Sequence, residues 1–260
     1  MCLSPMHGRH KTKEIVQYFE LNMVLGAQYF YIYNHSTNDT GVKSVLDYYV
    51  NMGVAEVIPW NLPARLHENT SIWYYAQLTM LNDCMLRNRG ISRFVVSTDL
   101  DEFIIPRVGD RLWDDLINSS PLACEYTIKS CVFLSLNATN ATENRNLIQN
   151  SDVIHPRFNF PALRKVFRRD HIFKHRVRSK YIARPECIDM VGVHYNFLFA
   201  NKADSSMLKQ LYVHENSSLV HHFMSQKRKD AQIGRIVFDD SIKYLAERMD
   251  ARVKKLIEKL

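Results

Sequence analysis

The sequence has no long hydrophobic run, although 46% of its 260 residues are hydrophobic. No stretch approaches the roughly 18 apolar residues that a membrane-spanning helix requires, and the N-terminus lacks the basic-then-apolar order of a signal peptide. The chain also contains no linker that would force a division into two domains. We therefore predict one domain over residues 1–260, with a sizeable core and no membrane anchor within this chain.

Cysteine pairs with metal-binding spacing are absent as well. The five cysteines are Cys2, Cys84, Cys124, Cys131 and Cys187. None of them forms a Cys-x-x-Cys pair, which argues against a zinc site. Their odd number permits disulfides without requiring them, and it leaves the pairing open.

Sequons for N-linked glycosylation, in contrast, are abundant. They occur seven times, at Asn34, Asn38, Asn69, Asn118, Asn137, Asn140 and Asn216. For a chain of this asparagine, serine and threonine content, chance predicts roughly two. The excess favours the lumen of the secretory pathway. Because a signal and an anchor are missing, we expect an N-terminal segment that is absent from this chain.

Acidic residues are fewer than basic ones, with 27 Asp and Glu against 34 Lys and Arg. Much of the excess lies in residues 164–184, RKVFRRDHIFKHRVRSKYIAR. A basic patch suits a polyanion, a membrane surface or a phosphorylated small molecule, and a solvated face is the alternative. A basic nucleic-acid-binding protein is therefore one hypothesis, although no nucleic-acid-binding motif is present and the sequons count against it.

Helix and strand patterns alternate over the first half of the chain. The predicted elements cover, in chain order, 11–26 (helix), 27–33 (strand), 40–53 (helix), 54–60 (strand), 71–90 (helix) and 93–98 (strand). The predicted apolar faces are Val42, Val45, Leu46, Tyr49 and Val50 in the second helix, and Tyr74, Leu78, Leu81 and Met85 in the third. This alternation is typical of βαβ units, so we predict an α/β fold with a mainly parallel sheet flanked by helices.

The second half of the chain is less regular. Short strand patterns lie near 123–135, 163–168, 190–195 and 218–223, and a polar loop is expected at 137–146. A C-terminal helix is predicted from apolar residues on one side, from Ile242 to Ile257. We therefore expect a mixed second half of the same domain.

Three carboxylates follow the strand "FVVST" directly, in Asp99-Leu100-Asp101-Glu102. Ligands of open α/β sheets bind outside the carboxyl ends of the strands, which is where these acids lie. In an extended chain Asp99 and Asp101 point the same way and Leu100 points into apolar packing. Two adjacent carboxylates repel each other, and a divalent cation that binds both removes that repulsion.

Hard cations such as Mg²⁺ and Mn²⁺ prefer carboxylate together with phosphate oxygen. The acidic turn therefore predicts a metal–diphosphate site, with a solvated acidic turn as the alternative. An EF-hand is disfavoured, because the glycine that its loop needs at the sixth position is missing.

Several segments together resemble glycosyltransferase family 92. They are "CLSPMHG", "FELNMVLGAQYFYIYNHS", "VLDYYVNMGVAEVIPW", "AQLTMLNDCMLR", "DLDEFIIP", "SKYIARPECIDMVGVHYN" and "VHHFMS". The resemblance covers most of the chain and implies a GT-A fold, in which the second half binds the acceptor. It implies a hexosyltransferase, similar to inverting galactosyltransferases that use UDP-galactose and Mn²⁺ in the Golgi lumen and act on glycans. Members of the family normally carry a membrane anchor and a stem.

The resemblance also implies roles for individual residues. Asp99 and Asp101 match the metal-binding and donor-binding positions, with Glu102 in support and His194 or His222 as a third metal ligand. Tyr33, Asn34, Gln77, Asn82, Asp83, Lys180 and Arg184 are the other residues implied in binding the UDP-sugar.

The general base that accepts the proton of the acceptor hydroxyl stays open among Glu125, Glu186 and Asp189, with Glu186 preferred. A relative with the same fold that binds sugars without catalysis is a further hypothesis. Intact Asp99 and Asp101 argue against it.

Overall fold

The computed structural model describes residues 1–63, 72–110, 112–134, 160–200, 208–223 and 234–257. The polar loop predicted at 137–146 and the sequons at Asn69, Asn137 and Asn140 lie outside these residues. The helices are α1 (Thr12–Leu25), α2 (Thr40–Asn51), α3 (Gln77–Arg87), α4 (Trp113–Ser119), α5 (Pro161–Arg164) and α6 (Leu245–Ile257).

Strands occur throughout the described part of the chain. They are β1 (Cys2–Met6), β2 (Phe30–Asn34), β3 (Ala55–Pro59), β4 (Val95–Thr98), β5 (Glu102–Pro106), β6 (Glu125–Ile128), β7 (Ser130–Phe133), β8 (Phe167–Ile172), β9 (Lys180–Ala183), β10 (Ile188–Val191), β11 (Asn196–Phe199), β12 (Leu211–Tyr212), β13 (Ser218–His222) and β14 (Ile236–Phe238). Together with the helices they form the α/β fold that the sequence predicts.

Helix α2 illustrates how local sequence sets these boundaries. The Asp39 carboxylate accepts a hydrogen bond from the Val42 backbone N–H at 3.0 Å and so caps the first turn. Gly53, at φ 71°, follows the helix in a left-handed conformation that favours glycine. The predicted apolar face is buried except for Val50, which is 39% exposed.

Helix α3 differs from the prediction at its start. It begins at Gln77 instead of near residue 71, because the backbone before it is left-handed at Tyr74, Tyr75 and Ala76 (φ 47°, 54° and 59°). The buried face is also different from the predicted one. It contains Gln77, Met80, Leu81, Cys84 and Met85, whereas Leu78 is 42% exposed.

The central sheet has seven strands in the order β12-β6-β9-β4-β1-β2-β3. Strands β4, β1, β2 and β3 are mutually parallel, as the βαβ pattern predicts, and β9 runs antiparallel to β4 and β6. The main core packs α1, α2 and α6 against the sheet, and a second cluster lies around α3. This arrangement collects the carboxyl ends of β4, β1 and β2 at one edge.

A five-stranded sheet, β14-β8-β7-β13-β5, continues directly from the central one, because β5 follows β4 after a three-residue turn. Strand β13 runs antiparallel to β5, with His222 opposite Glu102. Residues from both sheets therefore meet at this turn.

Two disulfides join elements that are far apart in sequence. Cys2 in β1 is bonded to Cys84 in α3, and Cys124 before β6 is bonded to Cys187 before β10, at separations of 82 and 63 residues. Closing loops of this length stabilises a fold by roughly 4 kcal/mol each. Cys131 is a buried free thiol.

Several cations of the basic segment 164–184 have partners within the fold. Arg168 is bound to Asp239 and only 15% exposed, and Arg176 stacks 4.0 Å from the centre of the Tyr195 ring. Lys180 is 3% exposed between two carboxylates. Arg168 and Lys180 are thus used inside the fold, which counts against the nucleic-acid hypothesis. No helix in the described ranges has the length and hydrophobicity to cross a membrane.

Candidate functional site

The acidic turn, residues 99–101, connects the two larger sheets. It is a turn rather than extended chain, since the Glu102 N–H donates to the Asp99 carbonyl at 3.1 Å. Leu100 packs against the main core, as predicted. The turn lies at the carboxyl ends of β4 and β1, the edge where the sequence predicts ligand binding.

Asp99 is held by residues from three other elements. Its Oδ1 accepts hydrogen bonds from the Ser4 hydroxyl at 2.5 Å and from Gln77 Nε2 at 3.2 Å, and its Oδ2 accepts one from Lys180 Nζ at 3.1 Å. Burial alone would raise the pKa of Asp99. The Lys180 ammonium and the Ser4 hydroxyl outweigh it and hold that pKa well below its usual range. Asp99 is therefore a fixed, ionised carboxylate.

Glu102 and Lys180 form a buried ion pair behind Asp99. Glu102 Oε2 lies 2.8 Å from Lys180 Nζ, and the side chains are 2% and 3% exposed. Burial would lower the pKa of Lys180, but Asp99 and Glu102 together raise it. Burial raises the pKa of Glu102, and Lys180 offsets this only in part. Lys180 therefore compensates two acids inside the fold, whereas the sequence predicts that it binds the diphosphate.

His222 reaches the acidic turn from β13. Its Nδ1 lies 3.2 Å from Glu102 Oε1, and its Nε2 lies 3.6 Å from Asp101 Oδ2. Burial would lower the pKa of His222, but the nearby carboxylates raise it. The Asp101 carboxylate is 52% exposed, the most open acid of this group. Asp99, Asp101, Glu102, Lys180 and His222 are called the acidic-turn network below.

The predicted helix residues divide into two groups. Gln77 is brought to the site, because its amide donates to both Ser4 and Asp99. Asn82 lies further along α3, where its amide pairs with the backbone N–H and carbonyl of Val191 at 2.9 and 3.0 Å. Asp83 is bound to Arg87 at 2.6 Å. Asn82 and Asp83 thus hold α3 in place, away from Asp99.

The residues predicted to bind the nucleoside make internal hydrogen bonds. Tyr33 is fully buried and donates its hydroxyl hydrogen to Asp83 at 2.5 Å. Asn34 forms a turn with Thr37, accepting from its N–H at 3.0 Å and donating to its carbonyl at 3.1 Å. Both residues lie in β2, at the edge of the sheet that carries the turn.

Arg184, Glu186 and Asp189 lie away from the acidic turn. Arg184 donates to the carbonyls of Pro121 and Ala123 and lies at the opposite end of β9 from Lys180. Glu186 accepts from the Gly90 N–H at 2.9 Å, and Asp189 binds Arg89 at 3.0 Å, beyond the C-terminal end of α3. Since Gln77 begins α3 at the turn, these acids lie roughly 15 Å or more from it.

Glu125 is buried in β6, where it pairs with Ala183 of the neighbouring strand β9. Ala183 lies three residues after Lys180 in that strand. Its carboxylate accepts hydrogen bonds from Thr127, Asn196 and Gln210, at 2.6, 2.8 and 3.0 Å. Burial raises the pKa of Glu125, and these neutral donors offset the effect only in part. The structure therefore brings none of the three predicted bases to the acidic turn.

His194 lies in the β10–β11 loop, and its Nδ1 is 3.2 Å from the carbonyl of Ser179, the residue before Lys180. Burial, with help from the nearby Lys180 charge, lowers the pKa of His194. Because a carbonyl only accepts, Nδ1 carries the hydrogen and Nε2 carries the lone pair. His194 is thus a neutral acceptor next to the acidic-turn network.

Two residues near the turn were missed by sequence reasoning. Ser4 contacts Asp99 across 95 residues of chain. Lys165 is half-buried, and its Nζ donates to the Phe223 carbonyl at 3.4 Å and lies 5.5 Å from the Phe223 ring centre. The Phe223 N–H in turn donates to the Asp101 carbonyl at 2.8 Å. Ser4 lies inside the family-like segment "CLSPMHG", the one signal that pointed to it.

A second ion cluster lies away from the turn. Asp239 Oδ2 binds Arg107 at 2.5 Å and Arg168 at 2.6 Å, and its Oδ1 accepts from the Ser241 hydroxyl at 2.6 Å. His221 is fully buried beside it, stacked on Phe133 at 4.1 Å. Asp239, Arg107, Arg168, Ser241 and His221 are called the Asp239 cluster below. Asp239 is only 6% exposed, so its carboxylate is closed to ligands, whereas Arg107 and Ser241 line a neighbouring cavity.

A cavity of about 670 Å³ opens at the opposite edge of the central sheet, lined by residues that include Tyr29, Arg93 and Trp113. Its one acid, Asp114, binds Arg93 at 3.0 Å. It offers no paired carboxylates, so the acidic turn remains the candidate active site. Within the described ranges, no three His, Cys, Asp or Glu side chains converge in a group able to hold a metal ion by themselves.

The family model of glycosyltransferase family 92 matches residues 1–260. The match covers the α/β fold and the acidic turn at the sheet edge, so these features are parts of a family of glycosyltransferases. The chain belongs to glycosyltransferase family 92, as the resemblance predicts.

Two relatives from Caenorhabditis elegans are similar to part of the chain. Beta-1,4-galactosyltransferase galt-1 is 34% identical over 113 residues, which are 43% of this chain and 26% of that protein. Glycosyltransferase family 92 protein F13G3.3 is 29% identical over 117 residues, 42% of this chain and 23% of that protein. The chain thus matches about a quarter of the length of these relatives.

Proposed function

We propose that this protein transfers a hexose from a UDP-sugar to a glycan acceptor, with Mn²⁺ or Mg²⁺ bound at the acidic turn. The observation that carries the proposal is the open Asp101 carboxylate, 3.6 Å from the His222 ring, in a family 92 chain. Galactose is the donor sugar to test first, because one relative is named as a galactosyltransferase. We place the reaction in the Golgi lumen, with the full-length protein anchored in the membrane.

The donor atoms at the turn fit a cation of this type. Mn²⁺ accepts carboxylate oxygen and imidazole nitrogen, and such cations complete their coordination with phosphate oxygens and water. Asp101 Oδ2 and His222 Nε2 would hold the cation, and Asp99 is the other acid of the same turn. A two-residue site completed by a diphosphate agrees with the lack of a three-residue group in the described part of the chain. When bound, the cation would offset charge on the leaving diphosphate.

We assign to Lys165 the role that the sequence predicts for Lys180 and Arg184. Lys180 is neutralised by Asp99 and Glu102, and Arg184 is bound to backbone carbonyls. Lys165 is half-buried, and its one hydrogen bond among the described residues, to the Phe223 carbonyl, leaves two N–H groups for phosphate oxygens. Its charge lies beside the turn, where the diphosphate would bind.

Transfer requires the acceptor hydroxyl oxygen to bond to the anomeric carbon while the bond to the diphosphate breaks. The bonding electron pair leaves with the diphosphate, and the hydroxyl proton passes to a base. We propose His194 Nε2 as this base, ahead of Glu125, Glu186 and Asp189, because its partner nitrogen is fixed by the Ser179 carbonyl. His194 then serves the acceptor instead of the metal.

His194→Asn should abolish transfer while UDP binding, measured by calorimetry, stays unchanged.

The test of the proposed function is nucleotide release. The chain is incubated with UDP-galactose, UDP-glucose, UDP-N-acetylglucosamine or GDP-mannose, with added Mn²⁺ or with EDTA, and free nucleotide is quantified. We expect release of UDP from a UDP-hexose only with Mn²⁺. Equal release in EDTA would remove the metal assignment. No release, together with no Mn²⁺-dependent binding of UDP by calorimetry, would overturn the proposed function.

A further inference from the structure

The sequons that fall on described residues differ sharply in their surroundings. Asn34, Asn38, Asn118 and Asn216 each open an Asn-x-Ser/Thr triplet. N-linked glycans are bulky and hydrated, so a modified asparagine must point into solvent in the folded protein. The fold therefore decides which of these four positions tolerates a glycan.

Three of the four asparagines are exposed. Asn38 precedes Asp39, the capping residue of α2, and Asn118 lies in the last turn of α4. Asn216 lies in the turn before β13, where the Ser217 N–H donates to the His214 carbonyl at 2.9 Å. In the described ranges, the side chains of these asparagines make no hydrogen bond to another residue, so their amide nitrogens are open to a new bond.

Asn34 is different. It is half-buried, and both polar atoms of its side chain are bound to the Thr37 backbone at 3.0 and 3.1 Å. Its carbonyl also accepts from the Trp60 N–H at 2.8 Å, which fixes the end of β2. A sugar on Asn34 would have to fit inside this turn, at the sheet edge that carries the candidate active site.

The three exposed asparagines lie at different places relative to the candidate active site. Asn216 lies at the end of β13 opposite His222, and the five-residue strand between them spans roughly 16 Å. Asn118 lies in α4, the helix that follows β5, and is also at the edge far from the acidic turn. Asn38 lies in the β2–α2 loop, on the side of the acidic turn, but its side chain faces solvent.

We propose that Asn38, Asn118 and Asn216 carry N-linked glycans and that Asn34 does not. The proposal rests on the luminal location in the proposed function, not on its chemistry. In the reaction, asparagine Nδ2 bonds to the anomeric carbon of a lipid-diphosphate-linked oligosaccharide. The bond from that carbon to the diphosphate breaks, its electron pair leaves with the lipid diphosphate, and one amide proton passes to a base of the transferring enzyme.

The test uses the chain secreted from animal cells behind an added signal peptide. Peptide N-glycosidase in H₂¹⁸O converts each occupied asparagine to ¹⁸O-labelled aspartate, and peptide mass spectrometry locates the label. We expect label at positions 38, 118 and 216 and none at 34. Label at position 34, or its absence at any of the other three, would overturn the assignment.

Two neighbouring sequons provide a matched pair of variants. Ser36→Ala destroys the Asn34 sequon and Thr40→Ala destroys the Asn38 sequon, each by loss of one exposed hydroxyl. On a gel, Thr40→Ala should lower the apparent mass by one glycan, and Ser36→Ala should leave it unchanged. The reverse pattern contradicts the proposal. UDP release from UDP-galactose by the same samples reports separately on the proposed function.

Discussion

The acidic-turn network and the Asp239 cluster contain the same kinds of charged groups but balance them differently. At the turn, three carboxylates share Lys180 and His222, and Asp101 stays 52% exposed. In the Asp239 cluster, two guanidinium groups surround one carboxylate that is 6% exposed. The first network has spare negative charge facing solvent, and the second has none.

This difference separates a binding site from a structural ion cluster. A closed cluster uses all its charge for stability, and breaking a buried pair leaves an uncompensated charge that typically costs about 3–5 kcal/mol. A network with an exposed acid and more carboxylates than cations can take up a cation without leaving a buried charge uncompensated. The comparison therefore predicts that variants at the turn affect activity and variants at Asp239 affect stability.

The largest expected effect is on activity, at Asp101. Asp101→Asn keeps the shape and removes the charge that would bind the cation, so transfer should fall by roughly 100- to 1,000-fold. The midpoint of thermal unfolding should not change, since the carboxylate is half exposed. Asp240→Asn is the matched control, with an equally exposed carboxylate outside the turn. Wild-type turnover by Asp101→Asn would remove the metal assignment.

The reciprocal variant is Asp239→Ala. It leaves Arg107 and Arg168 without their shared carboxylate, so the free energy of unfolding should fall by about 3 kcal/mol. Chemical denaturation measures this loss, and activity per folded molecule should be unchanged. If Asp239→Ala instead lowered activity at unchanged stability, the two networks would not differ in role.

A double-mutant cycle sharpens the comparison within the turn. Lys180→Met leaves Glu102 buried without its cation and should destabilise the fold by about 3 kcal/mol. Adding Glu102→Gln removes the orphaned charge, so the double variant should regain about 1 kcal/mol relative to Lys180→Met. Additive losses in urea denaturation would show that the two side chains are not coupled.

The most gradual effect is on the pH dependence of stability. Burial, aided by Arg107 and Arg168 and opposed by Asp239, lowers the pKa of His221 to about 3. The unfolded chain therefore binds a proton that the folded chain excludes, and stability is complete above the unfolded pKa of about 6.5. It should fall by up to about 1.4 kcal/mol per pH unit between about pH 6 and 3.

His221→Phe isolates this contribution, because a phenylalanine can stack on Phe133 without titrating. Denaturation of both proteins at a series of pH values should give a shallower acid decline for the variant. Parallel declines would show that His221 is not the group responsible.

The regular part of the fold was predictable because its signals are local. The apolar spacing of α2 and the glycines after α1 and α2 define those helices, and the βαβ alternation gives the parallel block of the central sheet. The start of α3 was not predictable in this way. Its left-handed residues are held by a distant contact, the hydrogen bond from Trp60 Nε1 to the Tyr75 carbonyl at 2.8 Å.

The candidate site was predictable to a similar degree. The acids that end a strand and the family resemblance name Asp99, Asp101 and Gln77 as parts of one donor site, and the structure places the Gln77 amide 3.2 Å from Asp99. The partner of Asp99 lies 81 residues away, in the antiparallel strand β9, and no local pattern indicates that Lys180 is buried there. The roles of Lys180 and Lys165 depend on which cation the fold encloses, and only the folded chain determines this.

The burial of Cys131 has a consequence for how the chain acquires its disulfides. Its sulfur lies in β7 between β8 and β13, and burial raises the pKa of its thiol to about 12. A thiol that is buried and stays protonated cannot attack a disulfide. Once β7 has paired with β8 and β13, Cys131 can no longer take part in thiol–disulfide exchange. The Cys2–Cys84 and Cys124–Cys187 bonds then persist, because no free thiol competes for them.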